Sequence, residues 1–231
     1  MKDSNIKVAE NVWKQWERNV LQKPNDDAIV HWVAGEEPLR WGYSELLKKA
    51  NEFSLLLKDN GIKRGEVCAI IIRHNFLFYP LYMGVVGIGA IPAVLAYPNP
   101  RLHPDKFRQG LEGMSHRSGL DWIFTERELE SIVKPLVEKE GSTLLGIHFP
   151  IEWEFNHSLE DKYQNEINEV RSSIKGSDPF LLQHSSGTTG LQKPVLLSHK
   201  AVLDHVVYYG QSIQLNAEDK VVSWLPLYHD M

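Results

Sequence analysis

The sequence predicts an α/β fold, a layered and mostly parallel sheet with helices on both faces, and three observations carry that expectation. Continuous apolar runs such as Val67-Cys68-Ala69-Ile70-Ile71-Ile72 have the composition of strands buried on both faces. These runs alternate along the chain with segments whose apolar residues recur at helical spacing, the pattern of strand-helix-strand units. The 231 residues are 42% hydrophobic and 24% charged, a balance that lets a soluble chain bury a core.

Taken in order, Val8, Val12, Trp16 and Val20 recur every four positions, which predicts an amphipathic helix ending before Pro24. Ala28 to Val33 and Leu39 to Trp41 follow as two short strands, and the intervening Ala-Gly-Glu-Glu-Pro makes them a hairpin. Ser44 reads as the N-cap of a helix with Leu46, Ala50, Phe53 and Leu57 on one face, closed by Gly61. A buried strand over Val67 to Ile72 leads to a helix through about Gly87 and a strand near Ala90 to Leu95. After Pro104 the spacing of Phe107, Leu111 and Met114 predicts a helix ended by Gly119, and Asp121 to Thr125 a strand. Glu126 to Lys139 has helical spacing at Leu129, Val133 and Leu136, with Pro135 kinking or shortening it, before a strand at Leu144 to His148.

Glu152 to Asp178 is the most polar stretch, and its terminal Gly176, Ser177 and Pro179 mark a subdomain boundary or long connection. Residues 1–175 then form a first α/β subdomain and 176–231 begin a second. Within the latter, Phe180-Leu181-Leu182 and Val195-Leu196-Leu197 make a strand-loop-strand unit. Ser198 caps a helix bearing Ala201, Val202, His205, Val206 and Tyr209, and Val221 to Leu225 form a last strand.

Charge excludes some classes of partner. The net charge of −5 and pI near 6.1, without a basic run, give no footprint for nucleic acid or an anionic membrane. The N-terminus lacks a secretory apolar region and no run has the length of a membrane span, so the expected location is the cytoplasm. Cys68 is the only cysteine and reads as a core residue within its apolar run.

Between the two strands of the second subdomain lies Ser185-Ser186-Gly187-Thr188-Thr189-Gly190-Leu191-Gln192-Lys193. Serine and threonine hydroxyls donate to phosphate oxygens, glycines let main-chain N–H groups turn toward an anion, and Lys193 adds a positive charge. Spacing excludes a Walker loop, because no Gly-Lys pair follows Gly187, and a dinucleotide fingerprint, because Gly84, Gly87 and Gly89 precede a strand instead of following one. Those three glycines read as sites of close helix and strand packing. A serine hydrolase using Ser185 or Ser186 would need a Gly-x-Ser-x-Gly elbow, which is absent, and His199, His205 and His229 do not have the spacing of a zinc site.

The loop resembles the phosphate motif of the adenylate-forming superfamily, which includes acyl-CoA synthetases, luciferases, peptide-synthetase adenylation domains and fatty acyl-AMP ligases. A second match, Trp224-Leu225-Pro226-Leu227-Tyr228-His229-Asp230-Met231, resembles the next motif of that superfamily and is most similar to fatty acyl-AMP ligases. The resemblance implies that Ser185, Ser186, Gly187, Thr188, Thr189, Gly190 and Lys193 hold the β- and γ-phosphates of ATP and that His229 sits by the acyl-binding site. It implies the reaction of a carboxylic acid, here a fatty acid, with ATP to give acyl-AMP and pyrophosphate, with CoA or an acyl carrier protein as possible final acceptors. Gln192 and Pro194 depart from the family pattern, where proline and glycine are common, and Pro194 stiffens the loop's exit and withholds one N–H.

The resemblance also implies what lies outside these residues: the adenine platform, the Mg²⁺-supporting glutamate, the ribose-binding aspartate and the lysine of a C-terminal domain. The expectation is therefore an incomplete N-terminal domain of an adenylate-forming enzyme, inactive alone. The alternative is a non-catalytic module for nucleotide or pyrophosphate. A sheet interrupted after residue 231 is further expected to leave an edge open to self-association.

Overall fold

The computed structural model describes residues 8–99, 101–184 and 193–228. Helix α1 (Val12–Gln22) opens the described chain, with the Asn11 side chain accepting from the Lys14 N–H as its cap. Strands β1 (Asp27–His31) and β2 (Leu39–Gly42) pair antiparallel as a hairpin. Helix α2 (Tyr43–Asp59) is capped two residues earlier than the predicted Ser44: Gly42 occupies the N-cap and offers no side chain. β2 runs directly into the helix, so Ser44 already lies in its first turn. Gly61 closes the helix at φ 86°, in the left-handed region that favours glycine.

Four strands, β3 (Val67–Ile71), β4 (Ile91–Val94), β5 (Trp122–Thr125) and β6 (Gly146–His148), form a parallel sheet in the order β4-β3-β5-β6. All three ladders are parallel, as the unbroken apolar runs require. The connections are α3 (Phe78–Gly87), α4 (Pro104–Ser118) and α5 (Glu130–Val137). A 3₁₀ turn at Arg127–Leu129 precedes α5, which ends two residues past Pro135, so the expected shortening is observed. Gly119 ends α4 at φ 64°.

Alternation along β3 divides the core. Cys68 and Ile70 point to one face with Leu57, Leu81 and Val85 from α2 and α3. Ala69 and Ile71 point to the other with Phe107 and Leu111 from α4 and Val133 and Leu136 from α5. Helices thus cover both faces. Cys68 is fully buried and desolvation pushes its thiol pKa well up, so it packs as a small hydrophobe.

The polar stretch after β6 was expected to connect subdomains, and most of it is helix α6 (Ser158–Ser173). Its apolar residues Leu159, Tyr163 and Ile167 fall four apart and pack on the α2–α3 side of the sheet. Arg171, near its end, is buried: the guanidinium donates to Gly87 O at 3.1 Å, Asn51 Oδ1 at 2.7 Å and Ser54 Oγ at 3.0 Å, and lies 3.7 Å over the Trp13 ring. One side chain therefore joins α6 to α1, α2 and α3. The glycines read from sequence as packing sites fit tightly here. A Cβ on Gly84 would lie 2.6 Å from Phe53 Cβ, and one on Gly87 would lie 2.6 Å from Ser54 Oγ and 2.7 Å from the Trp13 ring.

Strands β7 (Pro179–His184) and β8 (Pro194–Ser198) and helix α7 (His199–Ser212) complete the described elements. Residues Val221 to Leu225 form no strand. Val221, Val222 and Trp224 are 79%, 84% and 89% exposed, and no neighbouring strand among the described residues pairs with them.

Candidate functional site

β7 and β8 pair antiparallel, Leu181 with Leu197, Leu182 with Leu196, Gln183 with Val195 and His184 with Pro194. The strand-loop-strand unit read from the sequence is thus formed, and its strands hold the two ends of the hydroxyl and glycine loop together. Ser185, Ser186, Gly187, Thr188, Thr189 and Gly190, with His229, lie outside the described residues. Lys193 is described and stands exposed at the mouth of the hairpin. Pro194 follows it and has no N–H to give to the ladder.

The hairpin is anchored through one face of β7, where Phe180, Leu182 and His184 are buried in alternation. Phe180 meets Trp16 of α1, Tyr82 of α3 and His199 of α7 at ring separations of 6.5, 6.1 and 5.0 Å. Leu182 joins the cluster on the α4–α5 side of the sheet. His184 Nε2 lies 2.7 Å from Ser118 Oγ, at the last residue of α4, and its Nδ1 is buried without a hydrogen-bond partner. Burial lowers the His184 pKa, so the ring is held neutral near pH 7.

The far side of the hairpin is fixed by backbone and charge. Ser198 Oγ accepts from the Ala201 N–H at 3.1 Å and caps α7 as expected. The His199 N–H donates to Asp178 O at 3.1 Å and the Lys200 N–H to Gly176 O at 2.8 Å. Asp178 in turn meets Arg64 at 3.0 Å. His199 is 2% exposed, its Nδ1 accepts from the Val12 N–H at 3.3 Å, and desolvation pulls its pKa down to about 4.

Sequence reasoning singled out the loop and passed over His184, although the period-two burial of Phe180 and Leu182 places residue 184 on the same inward face. A serine hydrogen-bonded to a histidine invites a nucleophilic reading, yet Ser118 ends α4. Helix carbonyls surround that position, and their partial negative charge opposes an oxyanion. At the hairpin mouth Lys193 is exposed, directly after the sequence segment of hydroxyls and glycines.

A separate cavity of about 270 Å³ lies among α1, β1, α2 and α3, lined by Trp16, Ile29, Leu46, Phe78, Tyr82 and Met83. Its lining includes no residue of the hairpin, and its apolar walls do not suit a polyphosphate. Among the described residues no group of three or more His, Cys, Asp or Glu converges to hold a metal ion. Nor is any helix among them long and apolar enough to cross a membrane.

The chain is 29% identical over 176 residues to 4-coumarate–CoA ligase 3 of Arabidopsis thaliana, covering 73% of this chain and 30% of that protein. It is 25% identical over 228 residues to a medium/long-chain-fatty-acid–CoA ligase of Mycobacterium tuberculosis, covering 91% and 36%. The fold is that of the fatty acyl-adenylate ligase from Legionella pneumophila solved with acyl adenylate and pyrophosphate, at a TM-score of 0.75 and 20% identity over 96% of this chain and 36% of that one. The chain spans about a third of the length of the curated relatives it matches. Residues 16–231 match the AMP-binding enzyme family, and the chain belongs to that family.

Proposed function

We infer that this chain supplies the N-terminal part of an ATP-dependent ligase that joins a carboxylic acid to the α-phosphorus of ATP, giving acyl-AMP and releasing pyrophosphate. The observation that supports the reading is the hairpin β7–β8, whose paired ends His184 and Pro194 bracket Lys193 and the Ser185 to Gly190 segment in the sequence of a chain of the AMP-binding enzyme family. In this reading Ser185, Ser186, Gly187, Thr188, Thr189, Gly190 and Lys193 grip the β- and γ-phosphates. Hydroxyl and main-chain donors there offset charge on the departing pyrophosphate, and the exposed ammonium of Lys193 adds long-range attraction. His229 stands by the acyl group. A fatty acid is the favoured substrate, supported by the Leu-Pro-Leu-Tyr-His-Asp-Met form of residues 225–231 and by the fatty-acid ligases among the relatives. CoA or an acyl carrier protein is the acceptor class. Residues 1–175 and 176–231 act as the first subdomain and the start of the second, and the reaction is cytoplasmic.

Two measurements test this. Millimolar pyrophosphate or ATP added to the ¹⁵N-labelled 231-residue chain should shift the amide signals of Gly187 to Gly190, and an unchanged spectrum rejects the grip. The 231 residues alone should not exchange labelled pyrophosphate into ATP in the presence of fatty acid, whereas the protein of the whole natural reading frame should. Acid-dependent exchange by the 231 residues would overturn the first half of that expectation, and binding without exchange by the longer protein would favour a non-catalytic nucleotide-binding module.

A further inference from the structure

The cavity among α1, β1, α2 and α3 measures about 270 Å³, and packing would close it if its walls could move. They are held from outside. Helices α2 and α3 touch at Gly84, where a Cβ would already meet Phe53, and Arg171 ties both helices to Trp13 of α1. The β1–β2 hairpin is pinned beside them: Trp41 Nε1 donates to Phe76 O at 3.0 Å with the two rings stacked at 4.2 Å, and His31 stacks 3.9 Å from His74. A gap framed by fixed elements stays open. Its lining is selective. Trp16, Phe78, Tyr79 and Tyr82 bring aromatic rings, Met83 brings a polarisable thioether, and no charged side chain is among the lining residues. Neither the Tyr79 nor the Tyr82 hydroxyl has a hydrogen-bond partner among the described residues, and burial raises the pKa of both, so each stays an O–H donor without an acceptor.

We propose that this cavity is a binding site for an uncharged, flat, two-ring aromatic molecule with one hydrogen-bond acceptor, held among the aromatic side chains of α1 and α3 with its acceptor on a tyrosine hydroxyl of α3. Size sets the number of rings: a dry apolar cavity of about 150 Å³ admits one benzene ring, and about 270 Å³ admits two fused rings. Charge sets the class. Burying a carboxylate or a phosphate where no charged partner lines the wall is costly, so the ligand is neither the acid nor the nucleotide of the ligase reaction. An alkyl chain would fill the volume and leave both hydroxyls unsatisfied. The site shares no residue with the β7–β8 hairpin and stands whether or not the ligase reading does.

The test titrates quinoline and naphthalene, alike in shape and differing in one ring nitrogen, into the 231-residue chain labelled with ¹³C-methyl methionine. Quinoline at millimolar concentration should shift the Met83 methyl signal. Ala28→Leu lengthens a lining side chain and should weaken both compounds about tenfold. Tyr79→Phe combined with Tyr82→Phe removes the hydroxyls and keeps the rings, so quinoline should weaken about fivefold while naphthalene stays within about twofold. A silent Met83 methyl, or Ala28→Leu binding as tightly as the unsubstituted chain, would overturn the proposal. Equal responses of quinoline and naphthalene to the paired phenylalanine substitutions overturn the acceptor and with it the ligand class. Octan-1-ol displacing quinoline at a lower concentration than naphthalene does would mean an alkyl occupant and overturns it as well. Should Ala28→Leu fail to fold, the phenylalanine pair decides, because it preserves the shape of both side chains.

Discussion

Arg171 carries its charge into the interior on neutral partners, a backbone carbonyl, an amide oxygen, a hydroxyl and an indole face. Desolvation draws its pKa down to about 9, which still leaves it charged at neutral pH. A lysine has one donor centre where the guanidinium fork serves three acceptors, and it does not stack flat on Trp13. Arg171→Lys is therefore expected to destabilise by about 2 kcal/mol or more, read as a lower urea midpoint at unchanged slope. Histidines give the acid limb of stability. His199 falls from 6.5 to about 4 on folding because burial disfavours its charged form, so between those values the unfolded chain binds the proton and the folded chain does not. Stability contributed by neutral His199 is whole above pH 6.5 and is lost as pH falls toward 4, by on the order of 3 kcal/mol. Burial lowers His31, His148 and His184 in the same direction. Urea midpoints at pH 7 and pH 5 should differ, and His199→Asn should flatten that difference; an equally steep profile in the variant would locate the acid sensitivity elsewhere.

Elements were legible where the period of apolar residues was strong. The strands around Cys68 and Ile123 and the α4 pattern of Phe107 and Leu111 fell where spacing placed them, because these segments bury one whole face or both. Helix α6 was not read, since only Leu159, Ile167 and Arg171 along its 16 residues are buried and its charged surface hid a four-residue apolar repeat. The final strand at Val221 was read and is not formed: β-branched residues prefer extended structure, but a strand needs a partner, and none stands beside it among the described residues. Two substitutions test the elements that did form. Gly84→Ala places a Cβ 2.6 Å from Phe53 Cβ, so α2 and α3 must separate, at a cost of about 1–3 kcal/mol. Ser198→Ala removes the α7 cap and should cost about 1 kcal/mol, with loss confined to amide protection in residues 199–203.

For the molecule as a whole, the parallel sheet and its two helical layers came out of the sequence, and the two strands of the hairpin did too. What sequence could not supply was the set of partners that fixes that hairpin: His184 with Ser118, His199 with Val12 and Asp178 with Arg64 join residues 66 to 187 positions apart, and no local pattern encodes such distances. The sequence led to the expectation of self-association through an open sheet edge; apart from any edge, α7 and the segment beyond it carry Val206, Tyr208, Ile213 and Val222, each half or more exposed. We propose that this surface drives association of two copies. Sedimentation velocity of the 231-residue chain should show concentration-dependent dimers that Val206→Glu with Tyr208→Glu abolishes, and a concentration-independent monomer would reject association.

The long reach of Arg171 also bears on how the protein is made. Its hydrogen bonds span 84, 117 and 120 residues, so α1, α2 and α3 leave the ribosome long before the side chain that links them. Until then Ser54, Asn51 and the Gly87 carbonyl lack the guanidinium that they meet in the folded chain. A nascent chain stalled before residue 171 has cleared the exit tunnel should be cut readily within α2, and one stalled after it should not.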